Sequence, residues 1–381
     1  MTSRFCLAGF ILVLAACSSL PRPGPARKPE PVIQRGWNFV EPETEFLHME
    51  AGTDPVSYSS PVLAGERLIF GSERFGLVSL NKNNGQQLWR RNMEGGVTSV
   101  PLVNESTVYA GTETGVVYSV DLATGQVRWR ATLTGPVQGS FLLSYQRLYV
   151  GTADDAVHCL DPGTGKLIWT YRRPASGGTS VRGGGSPAAV NGKIWVGFTD
   201  GSLLALNPET GAVESEKQFR DNLKFADIDS RVVGWREGLL VSTYDGRLRY
   251  LRKDGSVIWE FSSGSARMPV LGDGDRIYYP SSDGTVYALS GNSGKPIWSY
   301  PLRRGVPTGL SLVTFKGRKL LLLAASEEKV VVLDAANGQA IGQVSLGRGS
   351  GSYGNIATDA ENGKFYVLST HSRVHEFRLK L

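Results

Sequence analysis

The chain has 381 residues, 41% hydrophobic and 20% charged, which is enough apolar surface for a large core and excludes a disordered or disulfide-stapled miniature. Lys+Arg 41 against Asp+Glu 35 leaves a net charge of +6 without basic runs, and no nucleic-acid motif is present, so nucleic acid is not an expected partner. Glycine is high at 47 while helix-type periodicity is nearly absent, a combination that suits many tight hairpins.

Arg4 opens an apolar run over 5–14 that ends in LAAC at 14–17. A basic start, a short apolar stretch and small residues before a cut site predict a secretory signal over 1–16. The run is too short for a stable membrane-spanning anchor. LAAC resembles the bacterial lipobox, in which cleavage leaves the cysteine N-terminal and lipidated. An ordinary signal with an incidental cysteine is the plainer alternative, but Cys17 stands where the small-residue cleavage site ends, so Cys17 is the expected lipidation site. Ser18 follows rather than Asp, which by the sorting rule of such lipoproteins implies the outer membrane, here at its periplasmic face. The segment SSLPRPGPARKPEPV cannot form a core and reads as an extended tether, reaching on the order of 45 Å. Residues 17–35 are therefore assigned to lipidated cysteine and tether, and 36–381 to the folded part. Cys6 leaves with the signal. Cys159 is then alone, allows no internal disulfide and reads as a small buried hydrophobe.

One module organises the rest. Residues 108–129, VYAGTETGVVYSVDLATGQVRW, contain a β-rich run, a turn, an alternating run, a second turn and a third run ending in tryptophan. Eight copies align on its first half. They are LIFGSERFGLVSLN from Leu68, VYAGTETGVVYSVD from Val108, LYVGTADDAVHCLD from Leu148, IWVGFTDGSLLALN from Ile194, LLVSTYDGRLRYLR from Leu239, IYYPSSDGTVYALS from Ile277, LLLAASEEKVVVLD from Leu320 and FYVLSTHSRVHEFR from Phe365. Seven continue through a turn into a third run, and five of those end in Trp89, Trp129, Trp169, Trp259 or Trp298. A further apolar stretch precedes each copy. Four strands in about 40 residues is the pattern of a β-propeller blade, so the fold class is an all-β, eight-bladed propeller of four-stranded antiparallel blades. The eighth copy stops at Leu381 without its third run. Residues 36–46, GWNFVEPETEF, are expected to supply the missing outer strand, so that an N-terminal strand completes the last blade and closes the ring. The repeated tryptophans read as packing between neighbouring blades.

The period of the repeat locates its irregularities. The tryptophan-equivalent positions 89, 129, 169, 215, 259, 298 and 342 differ by 40, 40, 46, 44, 39 and 44. The consecutive long steps come from YRRPASGGTSVRGGG after Trp169 and EKQFRDNLKFADID after Ser215, equivalent outer-to-inner connections in adjacent blades. In a four-stranded meander such connections share one face, so the two enlarged loops should lie side by side, where binding function concentrates on a repeat scaffold. Harmless insertion is the bland alternative. The residues available suit protein recognition. Val181 offers an apolar contact and Arg182 a planar fork of donors. Asp227 and Asp229 alternate with Ile228, which points both carboxylates the same way on an extended segment. Together they could form a polar rim around a small apolar centre.

The D-x-x-T-G-x-x-x-W signature at 121–129 and 161–169 resembles the repeat of pyrroloquinoline-quinone-type propellers. An eight-bladed ring of this repeat behind a lipobox resembles the BamB family, the lipoprotein subunit of the outer-membrane β-barrel assembly machine. NLKFADIDSRVV at 222–233 is similar to that family's segment carrying Asp-hydrophobic-Asp before an inner strand, and TSVRGGGSP at 179–187 to its loop carrying hydrophobic-Arg-Gly. The resemblance implies that Val181, Arg182, Asp227 and Asp229 dock a POTRA domain of the central barrel-forming subunit, with unfolded outer-membrane proteins as further possible clients. Thr179, Ser180 and Val181 replace a leucine-rich stretch, so the apolar anchor is smaller here.

Two other classes share the repeat. Quinoprotein dehydrogenases resemble longer chains with an adjacent-cysteine disulfide, a calcium site and a carboxylate base. This sequence has no Cys-Cys pair, no calcium-loop pattern and no nucleophile elbow, phosphate loop or zinc motif. A structural or carbohydrate-binding surface propeller would need exposed aromatics, whereas most aromatics here fall on repeat positions. The expectation is a scaffold with no catalytic residue, metal or cofactor.

Overall fold

In the computed structural model the described residues are 32–40, 58–74, 76–174, 185–219, 227–228, 231–265, 269–327, 329–347, 349–370 and 372–381. The expected leader, Cys17 and residues 17–31 of the expected tether lie outside them, while its last residues, 33–35, belong to a strand. The alternating runs pair into eight sheets of four antiparallel strands each, the blades of a propeller. Blade one is typical, with Val62–Ala64 innermost, then Arg67–Ser72, Gly76–Asn81 and Gln87–Arg91 at the outside. Its two middle strands are almost wholly buried, because both their faces meet neighbouring blades. The outer strand is only half covered.

The D-x-x-T-G turn explains itself in blade two, between Val116–Asp121 and Val127–Thr132. Asp121 Oδ1 accepts from the Ala123 and Thr124 amides and from the Thr124 hydroxyl, an Asx turn that fixes the reversal. The Arg128 guanidinium on Oδ2 and the Thr124 amide hold the Asp121 carboxyl down to about 2. Gly125 closes the turn at φ +71°, a conformation that side chains resist.

That glycine is also where the next contact is made. The Trp89 ring of blade one lies on Gly125 so closely that an added Cβ would sit 2.7 Å from its Cδ2, and its Nε1 donates to the Leu122 carbonyl at 3.0 Å. The same lock recurs as Trp129 on Gly165, Trp169 on Gly211, Trp259 on Gly294 and Trp298 on Gly338. Each indole donates to a carbonyl of the same turn. A tyrosine often joins it, as Tyr109 does at 5.9 Å from Trp129, sharing the Pro162 carbonyl as acceptor. The packing role expected for the five tryptophans is the observed one.

The ring closes as the sequence predicts, through an N-terminal strand. Ile33–Phe39 pairs antiparallel with Val374–Leu379, outside Lys364–Leu368 and Ala357–Asp359. The strand starts at Ile33 rather than Gly36, because Ile33 packs with Phe377 and Leu379 and pairing continues until that side chain is covered. Residues 41–46 of the expected segment lie outside the described ones. This strand brings a sixth lock, which the repeat alignment does not reveal: Trp37 covers Gly85 of blade one and donates to the Lys82 carbonyl at 3.1 Å. Beside it, Gly36 leaves room for the buried Glu376 carboxylate, which accepts from Arg378 Nε at 2.6 Å. His375 Nδ1 meets Asn38 Oδ1 across the seam at 3.0 Å.

Trp129→Ala should lower the urea midpoint by the equivalent of about 3–5 kcal/mol, as expected for emptying an aromatic contact. A loss below about 1 kcal/mol would show that the lock does not hold the seam. Burial, and then the nearby Arg35 and Arg373 charges, push the His375 pKa down to about 4 from 6.5. In that interval the unfolded chain binds the proton and the folded chain does not. The His375 contribution is therefore complete above 6.5 and lost as the pH falls to about 4. His375→Gln should flatten the fall of Tm with acidification across that window, and an unchanged slope would refute the assignment.

Candidate functional site

Blade four consists of Ala188–Val190, Lys193–Gly197, Ser202–Leu206 and Val213–Gln218, and blade five of Val233–Trp235, Gly238–Thr243, Arg247–Leu251 and Val257–Ser262. The two enlarged connections lead into the inner strands of these blades. Their middles, 175–184 and 220–226, lie outside the described residues, and so do Val181 and Arg182, and Asp229 in the second connection. Their feet are described, and both stand on one hairpin, residues 197–201 of blade four.

The first connection leaves blade three at Arg173. Its guanidinium donates to Asp200 Oδ2 at 2.8 Å, Glu216 Oε1 at 2.7 Å and Ser202 Oγ at 2.8 Å. These carboxylates raise the Arg173 pKa further above its usual value, Glu216 most. The returning end of the connection is held where the Gly185 amide donates to the Gly197 carbonyl at 3.2 Å. The second connection leaves blade four at Phe219, whose amide donates to the Gly201 carbonyl at 3.0 Å. Arg249, 2% exposed, lies 4.9 Å from the Phe219 ring and pairs with Asp245 and Glu260. That connection returns at Ile228, whose amide donates to the Phe198 carbonyl at 3.1 Å. An added Cβ on Gly197 would sit 2.1 Å from Ile228 Cγ2. The adjacency inferred from equivalent connections is thus realised at the feet.

Ile228 occupies a repeat position. Val97 and Val137, like Ile228, lie five residues before an inner strand, donate to the preceding blade's hairpin and fill the space over a glycine, Gly71 and Gly111 respectively. Asp227 therefore belongs to the regular part of the blade and not to the added length. It is 2% exposed, and its carbonyl accepts from the Tyr244 amide at 2.8 Å. In the free chain this residue is not on an open rim, since the Ile228 plug draws it inward. The apolar plug of the repeat, conspicuous as an isoleucine between two aspartates, is the signal that sequence reasoning passed over.

A groove of about 510 Å³ lies elsewhere, between blades two and three, lined by Asn104, Tyr109, Arg128 and Gln146 among others. It is formed by the hairpins of the opposite face, and its Arg128 is neutralised by Asp121. Burial pushes the Cys159 thiol up to about 11, which makes it a packing group and not a nucleophile. Among the described residues, no group of three or more His, Cys, Asp or Glu could hold a metal ion.

A family model described as outer membrane protein assembly factor BamB matches residues 73–300 and 227–361. The chain belongs to the BamB family. Curated members similar to it include outer membrane protein assembly factors BamB of Nitrosomonas eutropha, 27% identical over 162 residues (40% of this chain and 36% of that one), and of Legionella pneumophila, 23% identical over 203 residues (51% of each). The chain spans about half or less of the length of these BamB relatives. Among solved structures, BamB from Moraxella catarrhalis is 20% identical, covers 91% of this chain and all of its own, and superposes with a TM-score of 0.73. A quinohemoprotein alcohol dehydrogenase from Comamonas testosteroni is 13% identical, covering 91% of this chain and 76% of its own, with a TM-score of 0.70. At these identities both structures speak to the fold, which BamB proteins share with the dehydrogenase.

Gly197→Ala should cost about 1–3 kcal/mol by crowding Ile228. Combining it with Ile228→Ala, which vacates the space, should recover part of that loss. Strict additivity in a double-mutant cycle would mean that the two residues do not meet.

Proposed function

We propose that the chain is a non-catalytic scaffold lipoprotein of the outer-membrane β-barrel assembly complex. Cys17 carries its lipid, and the tether keeps the ring at the periplasmic face of the outer membrane. The enlarged loops into blades four and five dock a POTRA domain of the barrel-forming subunit. Val181, Arg182 and Asp229 form the contact, and Asp227 supports the segment that presents Asp229. The observation that carries this reading is the common footing of both loops on residues 197–201, which makes one composite patch of two separate insertions. Family membership supplies the class of partner.

A scaffold role suits the chemistry of the patch. The ionisable groups at its base, Arg173, Asp200, Glu216, Arg249 and Asp245, are committed to one another, so they position loops rather than transfer protons. Assistance to folding would fall to the outer strands, whose outer edges pair with no further strand among the described residues. They carry exposed aliphatic residues, Leu167 and Ile168 on blade three and Val257 and Ile258 on blade five. Such edges suit transient strand addition by an unfolded barrel protein.

Full-length chain solubilised from membranes should bring down a barrel protein with POTRA domains. Arg182→Glu combined with Asp229→Arg should abolish that recovery while leaving the Tm within a degree or two, because neither is a repeat position of the blades. Recovery of an intact complex from the double variant would remove the proposed site. Loss of membrane retention on Cys17→Ser, with the propeller still folded, is the matching expectation for the lipid.

A further inference from the structure

In six of the eight blades the residue just ahead of the first buried apolar position of the second strand is a long cation: Arg67, Arg147, Lys193, Arg276, Lys319 and Lys364. Two of them show how such a side chain can fill the seam on the face opposite the enlarged loops. Arg276 of blade six reaches the turn of blade seven, where its Nη1 donates to the Ala335 carbonyl at 2.8 Å and the Ala336 carbonyl at 2.9 Å. Lys364 of blade eight reaches the turn of blade one, where its Nζ donates to Asn83 Oδ1 at 3.5 Å.

Blade two departs from this pattern. Its residue is Thr107, whose short side chain ends in a hydroxyl that accepts from Arg128 Nη1 at 2.7 Å. The groove of about 510 Å³ between blades two and three opens at this point, lined by Thr107, Ser119, Pro162 and Gly163 among others. Pro162 and Gly163 hold the turn positions of Ala335 and Ala336. The Tyr109 hydroxyl donates to the Pro162 carbonyl as the Tyr278 hydroxyl donates to that of Ala335, both at 3.1 Å, so the two seams share one framework. Apart from its chain neighbours, an added Cβ on Gly163 would meet only Asp161 Oδ1 within 4 Å, at 3.5 Å. Ser119 is 1% exposed, and its Oγ has no hydrogen-bond partner among the described residues. A buried hydroxyl in that condition is a cost that a donor entering the groove would remove.

We propose that this groove binds an arginine side chain of a partner polypeptide, whose guanidinium takes the place that Arg276 fills from within the ring at the seam of blades six and seven. The acceptors are neutral: the Pro162 and Gly163 carbonyls, Ser119 Oγ and the side-chain amide oxygens of Asn104 and Gln146. No carboxylate is among the described residues that line the groove, and its Arg128 is neutralised by Asp121. A neutral set selects a guanidinium, weakly hydrated with five donors in one plane, over an ammonium, which gives up more water and needs a counter-charge. The ring itself obeys this rule. Each lysine at the position of Thr107 has a carboxylate, Glu214 for Lys193, Asp273 for Lys319 and Glu376 for Lys364, whereas Arg276 is held by carbonyls. Tyr145, 46% exposed between the lining residues Ser144 and Gln146, gives the rim an aromatic surface for the chain that flanks the arginine. The groove lies on the face opposite the enlarged loops and is independent of the docking proposed for them.

The test uses the full-length solubilised chain and a fluorescently labelled pentapeptide amide, Gly-Ala-Arg-Ala-Gly with an acylated N-terminus, read by anisotropy. The peptide should bind with a Kd on the order of 0.1–1 mM, and versions with lysine or citrulline in place of arginine should bind about tenfold more weakly or worse. Thr107→Arg should fill the groove from within, as Arg276 does in its own seam, and so abolish binding with Tm unchanged or higher. Ser119→Ala should weaken binding on the order of tenfold, as for loss of a hydrogen bond to a charged group, again without lowering Tm. Full binding by a folded Thr107→Arg variant would overturn the proposal. Should that variant not fold, Ser119→Ala decides, and an unchanged affinity overturns the proposal. Equal binding of the lysine peptide would reduce the effect to general attraction of cations and overturn it too. Binding of acetylarginine amide as tight as that of the pentapeptide would assign the groove to a free guanidinium compound and overturn the polypeptide partner.

Discussion

The ring depends on a tryptophan lying flat on a glycine of the next blade. Six of the eight seams have this contact at the described positions, and each has the same three parts. The glycine takes a left-handed turn that only it adopts cheaply, and its missing Cβ is the space the indole fills. The indole nitrogen then donates to a carbonyl of that turn, which in several seams a tyrosine hydroxyl shares. Burial of the ring face contributes a few kcal/mol and the hydrogen bond about 1 kcal/mol. Repetition around a closed ring matters more than either figure, because each blade is held from both sides.

The two seams without the lock are explained by what replaces it. At position 342 of blade seven stands Gly342, and an added Cβ there would lie 3.2 Å from Val32. The closing strand passes over this spot, so an indole would block ring closure. At position 215 of blade four stands Ser215, and its glycine counterpart in blade five, Gly255, meets only Lys217. That seam is filled from further in, by Trp195, Phe219, Ile228 and Val232. Trp195 takes the place of the tyrosine found in other blades, and its Nε1 has no hydrogen-bond partner among the described residues. The seam that gives up the repeat's lock is the one that the second enlarged connection crosses, from Phe219 of blade four to Ile228 before blade five.

Most of the fold was legible because its causes are local. The Asp121 turn, the glycine after it and the tryptophan four residues on are one contiguous motif, so eight blades and the N-terminal closure could be counted from sequence. The sixth lock was not legible, because Trp37 is separated from its blade by almost the whole chain, and only the pairing of Ile33–Phe39 with Val374–Leu379 places it. The site was half legible. Length differences locate the insertions but not where insertion ends and repeat resumes. Alternation around Ile228 suggested two outward carboxylates. Ile228 is instead the repeat's plug over Gly197, and it carries Asp227 into the interior. Periodicity gives the direction of a side chain relative to its neighbour, and only the register against the next strand shows which direction is inside.

That distinction bears on how such a surface can change without endangering the ring. Residues at the foot, Arg173, Phe219 and Ile228, are tied to blade four by hydrogen bonds and buried contacts, and substitutions there are felt by the core. The added lengths between the feet carry no repeat position. Loop length itself adds little cost, since closing a longer loop between fixed ends grows only with the logarithm of its length. Fixing both ends on one hairpin reduces the entropy that binding must still remove, so a modest set of side chains on the loops can suffice for recognition. The contact chemistry is therefore free to drift while its geometry is conserved by the fold. On the docking proposed for these loops, a smaller apolar anchor at Val181 is tolerable on such a base.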